Sequence, residues 1–156
     1  MTNTISQAAI SKTILALLDE TFETHYGIYL DKGTSLLETL AKIDYVKASA
    51  PAGGGCATLA AHVEHIVFYL DVLEKYAMGE SVGKQDWGKI WARINTVSES
   101  EWESSRTKLR TTYIRVRNMI AEIEDWGTGK SLEGALAIIV HTAYHLGEIR
   151  QALCWL

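Results

Sequence analysis

The residues best able to do chemistry in this chain are its five histidines, His25, His62, His65, His141 and His145. Four of them form two pairs. His141 and His145 are four residues apart, so on a helix they project from one face about one turn apart. Two imidazoles at that spacing reach a single ion. Glu148 follows on the same face, in the run His141-Thr142-Ala143-Tyr144-His145-Leu146-Gly147-Glu148. His62 and His65 are three apart, and both lie away from the charged arc of Glu64, Asp71, Glu74 and Lys75. A lone inward histidine is most often a core residue hydrogen-bonded to a carbonyl. Two pairs aimed into one core are harder to explain that way. Four buried imidazoles without a shared partner leave several ring nitrogens to satisfy separately, whereas one ion satisfies three. Neutral imidazole suits zinc, nickel, iron or copper, and spacing does not choose among them. Three protein nitrogens with open positions describe a catalytic rather than a structural site.

Other chemically able residues read differently. His25 sits alone on an apolar stripe, as a core or helix-end histidine does. Cys56 and Cys154 lie at spacings that keep sulfur away from the imidazoles in an unbroken helix, and are expected to be small buried hydrophobes. Tyr69, Tyr144, Trp87, Trp91, Trp102, Trp126 and Trp155 are available to line a pocket, although aromatics at helical spacing are more often core. Gly53-Gly54-Gly55 lacks the Lys-Ser/Thr of a phosphate loop and follows no strand, so it reads as a flexible turn.

The elements that must position these residues are helices. Ile10, Ile14, Leu17, Leu18, Phe22, His25 and Ile28 recur at three- and four-residue spacing, which predicts a helix from about Ser6 to Leu30. A shorter one is expected over Ser35 to Val46. A long helix is expected from about Cys56 to Met78, with Leu59, Val63, Ile66 and Leu70 inward. Ser98 with Glu101 three residues on is a capping-box signature, opening a helix with Trp102, Leu109, Tyr113, Val116 and Ile120 on one face. Its other face carries Glu103, Arg106, Lys108, Arg110, Arg115 and Arg117, read as solvated. The last helix begins after Gly129 with Ser131 as N-cap and is apolar on more than one side, as buried helices are. Glu80 to Val97 reads as a crossover with a short helical turn. Pro51, the single proline, marks the strongest break together with the glycines beside it.

The chain has 156 residues, 47% of them apolar and 22% charged, with a formal net charge of -4. These values fit one all-α domain over residues 1–156, a helical bundle of four long helices and an extra short one. The acidic balance argues against nucleic acid as a partner. No apolar run is long enough to span a membrane. Residues 1–7 carry no basic region followed by an apolar run, and two distant cysteines are no disulfide framework, so a cytoplasmic setting is expected.

Two of these runs resemble motifs of a known family. Thr58-Leu59-Ala60-Ala61-His62-Val63-Glu64-His65-Ile66 resembles the second-helix motif of the DinB-like superfamily of damage-inducible bundle proteins, where Ser or Thr opens the helix and His follows seven residues later. His141-Thr142-Ala143-Tyr144-His145-Leu146-Gly147-Glu148-Ile149-Arg150-Gln151 resembles its C-terminal motif. The resemblance covers essentially the whole chain in helix order. It implies a four-helix bundle in up-down-down-up order, a three-histidine metal site of His65, His141 and His145 at the bundle's mouth, and a homodimer. Helix geometry alone centres the uncharged arc on His62, with His65 about 60° aside; the resemblance selects His65 and leaves His62 as a buried neighbour or alternative ligand. Glu148 stands where many members carry Gln, in position to orient His145 or to bind the ion itself. The implied cofactor is a divalent transition metal, zinc or nickel first, with iron or manganese as alternatives. The implied chemistry is on small molecules, with a low-molecular-weight thiol as the S-transfer substrate in detoxification or stress response. A metal-dependent hydrolase is the alternative enzyme, and a helical binding or dimerisation module the non-catalytic one. Neither motif assigns a catalytic residue.

Overall fold

The computed structural model describes residues 5–53, 56–86, 88, 91, 96–127 and 129–156. The six helices among them are α1 (Gln7–Phe22), α2 (Leu36–Leu40), α3 (Tyr45–Ser49), α4 (Leu59–Ala77), α5 (Glu99–Ala121) and α6 (Ser131–Leu153). The described residues form no strand; Pro51 and Thr58 make one isolated antiparallel bridge where the chain turns into α4. The fold is all-helical. Among the long helices, α4 packs on α5 and α6, and α1 packs on the same two. That closed arrangement is compatible with the expected four-helix bundle. None of these helices is long and apolar enough to cross a membrane.

The start signals act as read. Ser98 and Glu101 close a reciprocal capping box on α5, and the Thr58 hydroxyl accepts from the Ala61 amide at 3.3 Å to open α4. Inward positions of the periodic segments meet in one cluster that includes Leu18, Phe22, Ile66, Leu109, Val116 and Leu146. Trp102 is part of that core, its indole donating to the Ile43 carbonyl at 2.7 Å.

Several expectations change. Helix α1 ends at Phe22, eight residues short of the expected Leu30. The cause is Glu20, which is fully buried and takes the backbone N–H groups of Tyr26, Gly27, Ile28, Tyr29 and Leu30 at 3.0–3.3 Å. Those amides cannot also donate up a helix. Gly27 supplies the positive φ of 77° that the loop needs, and Ile28 ends up exposed. The Ser35–Val46 segment splits into α2 and α3. Ser131 is the first residue of α6 rather than its cap; its hydroxyl donates to the Ala77 carbonyl at 3.2 Å instead. Just beyond, Gly134 lets α6 approach α4 so closely that a Cβ there would lie 2.6 Å from that of Ala77.

The cations of α5 are tied to neighbours. Arg117 grips Asp19 through Nε and a terminal nitrogen at 2.7 and 2.8 Å, beside a 2.7 Å bond from the Tyr113 hydroxyl to the same carboxylate. Arg110 pairs with Glu23, Lys108 with Glu64, Arg115 with Asp71 and Glu74, and Arg106 with Glu103. Exposed pairs of this kind contribute little each, but four of the five fix α5 to α1, to α4 or to the residue after α1.

Candidate metal centre

Helices α4 and α6 lie side by side, and each turns its histidine pair toward the other. His65 and His145 are buried, at 5% and 4% exposure. The ring centroids of His65 and His141 are 5.2 Å apart, those of His65 and His145 4.7 Å, and those of His141 and His145 4.5 Å. One ring nitrogen from each of the three lies within 4.8 Å of the others. The three histidines selected at the sequence level are therefore brought together. His62, with its side chain 12% exposed, joins a second group with His145 and Glu148 under the same distance limit.

Hydrogen bonding divides the roles. His145 Nδ1 lies 2.7 Å from Glu148 Oε2. With the proton on Nδ1, that nitrogen donates to the carboxylate and Nε2 keeps its lone pair. Glu148 thus orients the ring as carboxylates do behind metal-bound histidines. His62 Nδ1 lies 3.7 Å from the same oxygen, beyond a hydrogen bond. His65 Nδ1, His141 Nε2 and His62 Nδ1 are buried with no hydrogen-bond partner among the described residues. Each such atom costs about 1–3 kcal/mol, and a cation is one partner that answers two or three lone pairs at once. Burial and the neighbouring imidazoles hold His65 down to about 4 and His141 to about 3, and burial also lowers His62 and His145. All four rings are neutral at pH 7, the form that ligates metal. The residues present fit a divalent ion by donor type, distance and unmet hydrogen-bonding capacity.

Aromatic rings wall the cluster. Tyr69 stacks on His141 at 3.4 Å between centroids, and Trp91 stacks on His65 at 4.3 Å. A cavity of about 780 Å³ opens beside His62 and His145, with Trp91, Tyr144, Trp155 and Glu148 on its walls. Of the aromatics read as pocket candidates, these three line the cavity and Tyr69 touches the cluster itself. Trp102 and Trp126 are core; Trp87 lies outside the described residues, as do Gly54 and Gly55 of the glycine turn. Gly88 and Trp91 have helical backbone, as the expected short turn requires.

Both cysteines are exposed, not buried. Cys56 sits on the cavity wall, because the helix expected to begin with it starts only at Leu59. Cys154 caps the end of α6, beyond the packed part of the helix. His25 lies past the end of α1, and not on its stripe. No protein-family model matches this chain, and no curated protein or solved structure shows significant similarity to it.

Proposed function

We propose that this chain is a divalent-metal-dependent enzyme of the DinB-like kind, a four-helix bundle in up-down-down-up order whose ion is held by His65, His141 and His145. The observation that carries the reading is the triad itself, two of its rings buried and the third partly so. Three imidazoles converge within 4.8 Å, and two of them present nitrogens with no hydrogen-bond partner among the described residues. Zinc or nickel suits such a nitrogen set best, with iron or manganese next. A divalent ion in that position supplies the positive charge that favours a thiolate over a thiol near neutral pH. The reaction we assign is S-transfer: the sulfur of a small thiol bonds to an electrophilic carbon, its proton passes to solvent, and the leaving group departs with the bonding pair.

The chain's own residues hold and orient. Glu148 keeps the His145 proton on Nδ1. Trp91 and Tyr69 fix the planes of His65 and His141 and screen that side from water. The adjoining cavity, walled by Trp91, Tyr144 and Trp155, receives the organic substrate. Leu136, Val140 and Tyr144 form an exposed row at four-residue spacing on α6, the face that supports a homodimer. The setting we assign is cytoplasmic.

The test is elemental analysis of protein purified without a metal-affinity tag, for wild type and His141→Ala. About one transition metal per chain, lost in the variant, supports the site, and thiol-transfer assays then follow, with hydrolase assays beside them. No metal in the wild type, even after incubation with zinc, nickel and manganese, overturns it.

A further inference from the structure

The cavity beside the histidine cluster has a chemical character of its own. Its walls are largely apolar and aromatic, contributed by Trp91, Tyr144 and Trp155 among others. Glu148 is the single charged side chain among the described residues that line it. Two polar groups of the lining lie side by side. One is the Glu148 carboxylate, 37% exposed, which engages His145 through Oε2. The other is the His62 ring, whose Nδ1 is buried, has no hydrogen-bond partner among the described residues, and lies 3.7 Å from that oxygen. The site of His65, His141 and His145 leaves His62 unused. Its unmet nitrogen sits on an α4 side chain that lines the cavity.

A neutral imidazole nitrogen carrying a lone pair and a carboxylate are both acceptors. A ligand that satisfies the two together must bring N–H or O–H donors, and a positive charge on that group is favoured by Glu148. An anionic group would meet a carboxylate at low dielectric with no compensating cation among the described lining residues. The ring faces of tryptophan and tyrosine favour an apolar body and tolerate an adjacent ammonium.

We infer that this cavity selects a compound with an apolar or aromatic body and a protonated amine, the ammonium donating to His62 Nδ1 and the Glu148 carboxylate while the body packs on Trp91, Tyr144 and Trp155. This names the substrate class of the proposed enzyme, and rests on that reading only for which molecule reacts there. The selectivity belongs to the cavity, with or without an ion.

Phenethylamine and 3-phenylpropionate are near-equal in size and opposite in charge, and serve as probes. Isothermal titration calorimetry of both is run on the wild type in chelator, and again with one equivalent of zinc whose uptake is measured. The amine should bind at least tenfold tighter than the carboxylate in both conditions. His62→Phe, which keeps a ring but removes the acceptor, should weaken the amine about fivefold or more. Glu148→Gln should narrow the amine preference, and circular dichroism of each variant checks that it is folded. Equal or tighter binding of 3-phenylpropionate in either condition, binding of neither probe at millimolar concentration, or no loss of amine affinity in folded His62→Phe overturns the inference. Failure of zinc uptake with amine selectivity intact would sink the metal reading and leave this one standing.

Discussion

Replacing His65 with leucine in metal-free protein is expected to leave stability unchanged or to raise it, the reverse of what a buried-residue substitution normally does. The wild-type ring buries Nδ1 without a partner among the described residues, which costs about 1–3 kcal/mol. Leucine, of similar volume, removes that cost. It also forfeits the stacked contact with Trp91 at 4.3 Å, a loss of about 0.5–1.5 kcal/mol. The two leave a net change between a loss of about 0.5 and a gain of about 2.5 kcal/mol, or up to about 10 °C in melting temperature for a chain of this size. Zinc should invert the order. At a free concentration of one hundred times its Kd it stabilises the wild type by about 2.7 kcal/mol, roughly 5–11 °C, and leaves His65→Leu unmoved. Thermal melts in chelator and in zinc, followed by circular dichroism, read both signs. A metal-free variant less stable than wild type by more than about 2 kcal/mol would show that the His65 nitrogen is satisfied and its ring is ordinary packing. A variant that responds to zinc as the wild type does would refute His65 as a ligand and move the ion to His62, His145 and Glu148.

Other perturbations test the frame around the cluster. In metal-free protein His65 and His141 are held down to about 4 and about 3, so an unfolded chain takes up protons near pH 6.5 that the folded one refuses. Their contribution should be full above pH 6.5 and fall away as pH drops from 6.5 toward 4 and 3, by up to about 1.4 kcal/mol per pH unit for each ring, read as the midpoint of urea unfolding against pH. Gly134→Ala would set a Cβ 2.6 Å from Ala77 Cβ and 2.7 Å from its Cα; backbone cannot swing aside, so the melt should fall by an amount equivalent to about 1–3 kcal/mol despite alanine's better helix propensity. Glu20→Gln puts an amide, half donor, where five backbone N–H groups converge on a carboxylate; stability should drop by about 2 kcal/mol or more, and hydrogen exchange at residues 26–30 should rise more than in the core of α4.

Periodicity made the histidines legible because a helix fixes which residues share a face. It placed Leu59, Val63, Ile66 and Leu70 inward with His65 among them, and the structure buries all five. It failed where a side chain overrides backbone periodicity. The stripe of α1 runs on through His25 and Ile28 in the sequence, yet Glu20 takes the amides that would have continued the helix, and a carboxylate reaching six to ten residues forward leaves no periodic trace. Hydropathy also misread the last helix in part: Leu136 and Val140 are as apolar as Ile139 and Leu146 but face outward, since which apolar face finds a partner depends on neighbours supplied by other helices. The basic face of α5 repeats the point. Its charges read as solvated one helix at a time, whereas their carboxylate partners lie mostly on α1, just after it, and on α4.

The choice between His62 and His65 could not be made from helix geometry because both belong inward, and the proposed choice of His65 rests on how Glu148 meets His145. His145 belongs to both groups of potential ligands, and a neutral imidazole has only one lone-pair nitrogen. Glu148, one turn beyond, lies 2.7 Å from Nδ1; with the proton there, Nε2 keeps the lone pair that an ion would take. For an ion on Nε2, His65 and His141 would offer buried nitrogens with no hydrogen-bond partner among the described residues. An ion on the His62 side would have to displace that proton from Nδ1 or compete with it for Glu148, and would leave the nitrogens of His65 and His141 unmet. On the proposed reading, the carboxylate at position 148 would therefore act against the second group by fixing the tautomer that serves the first.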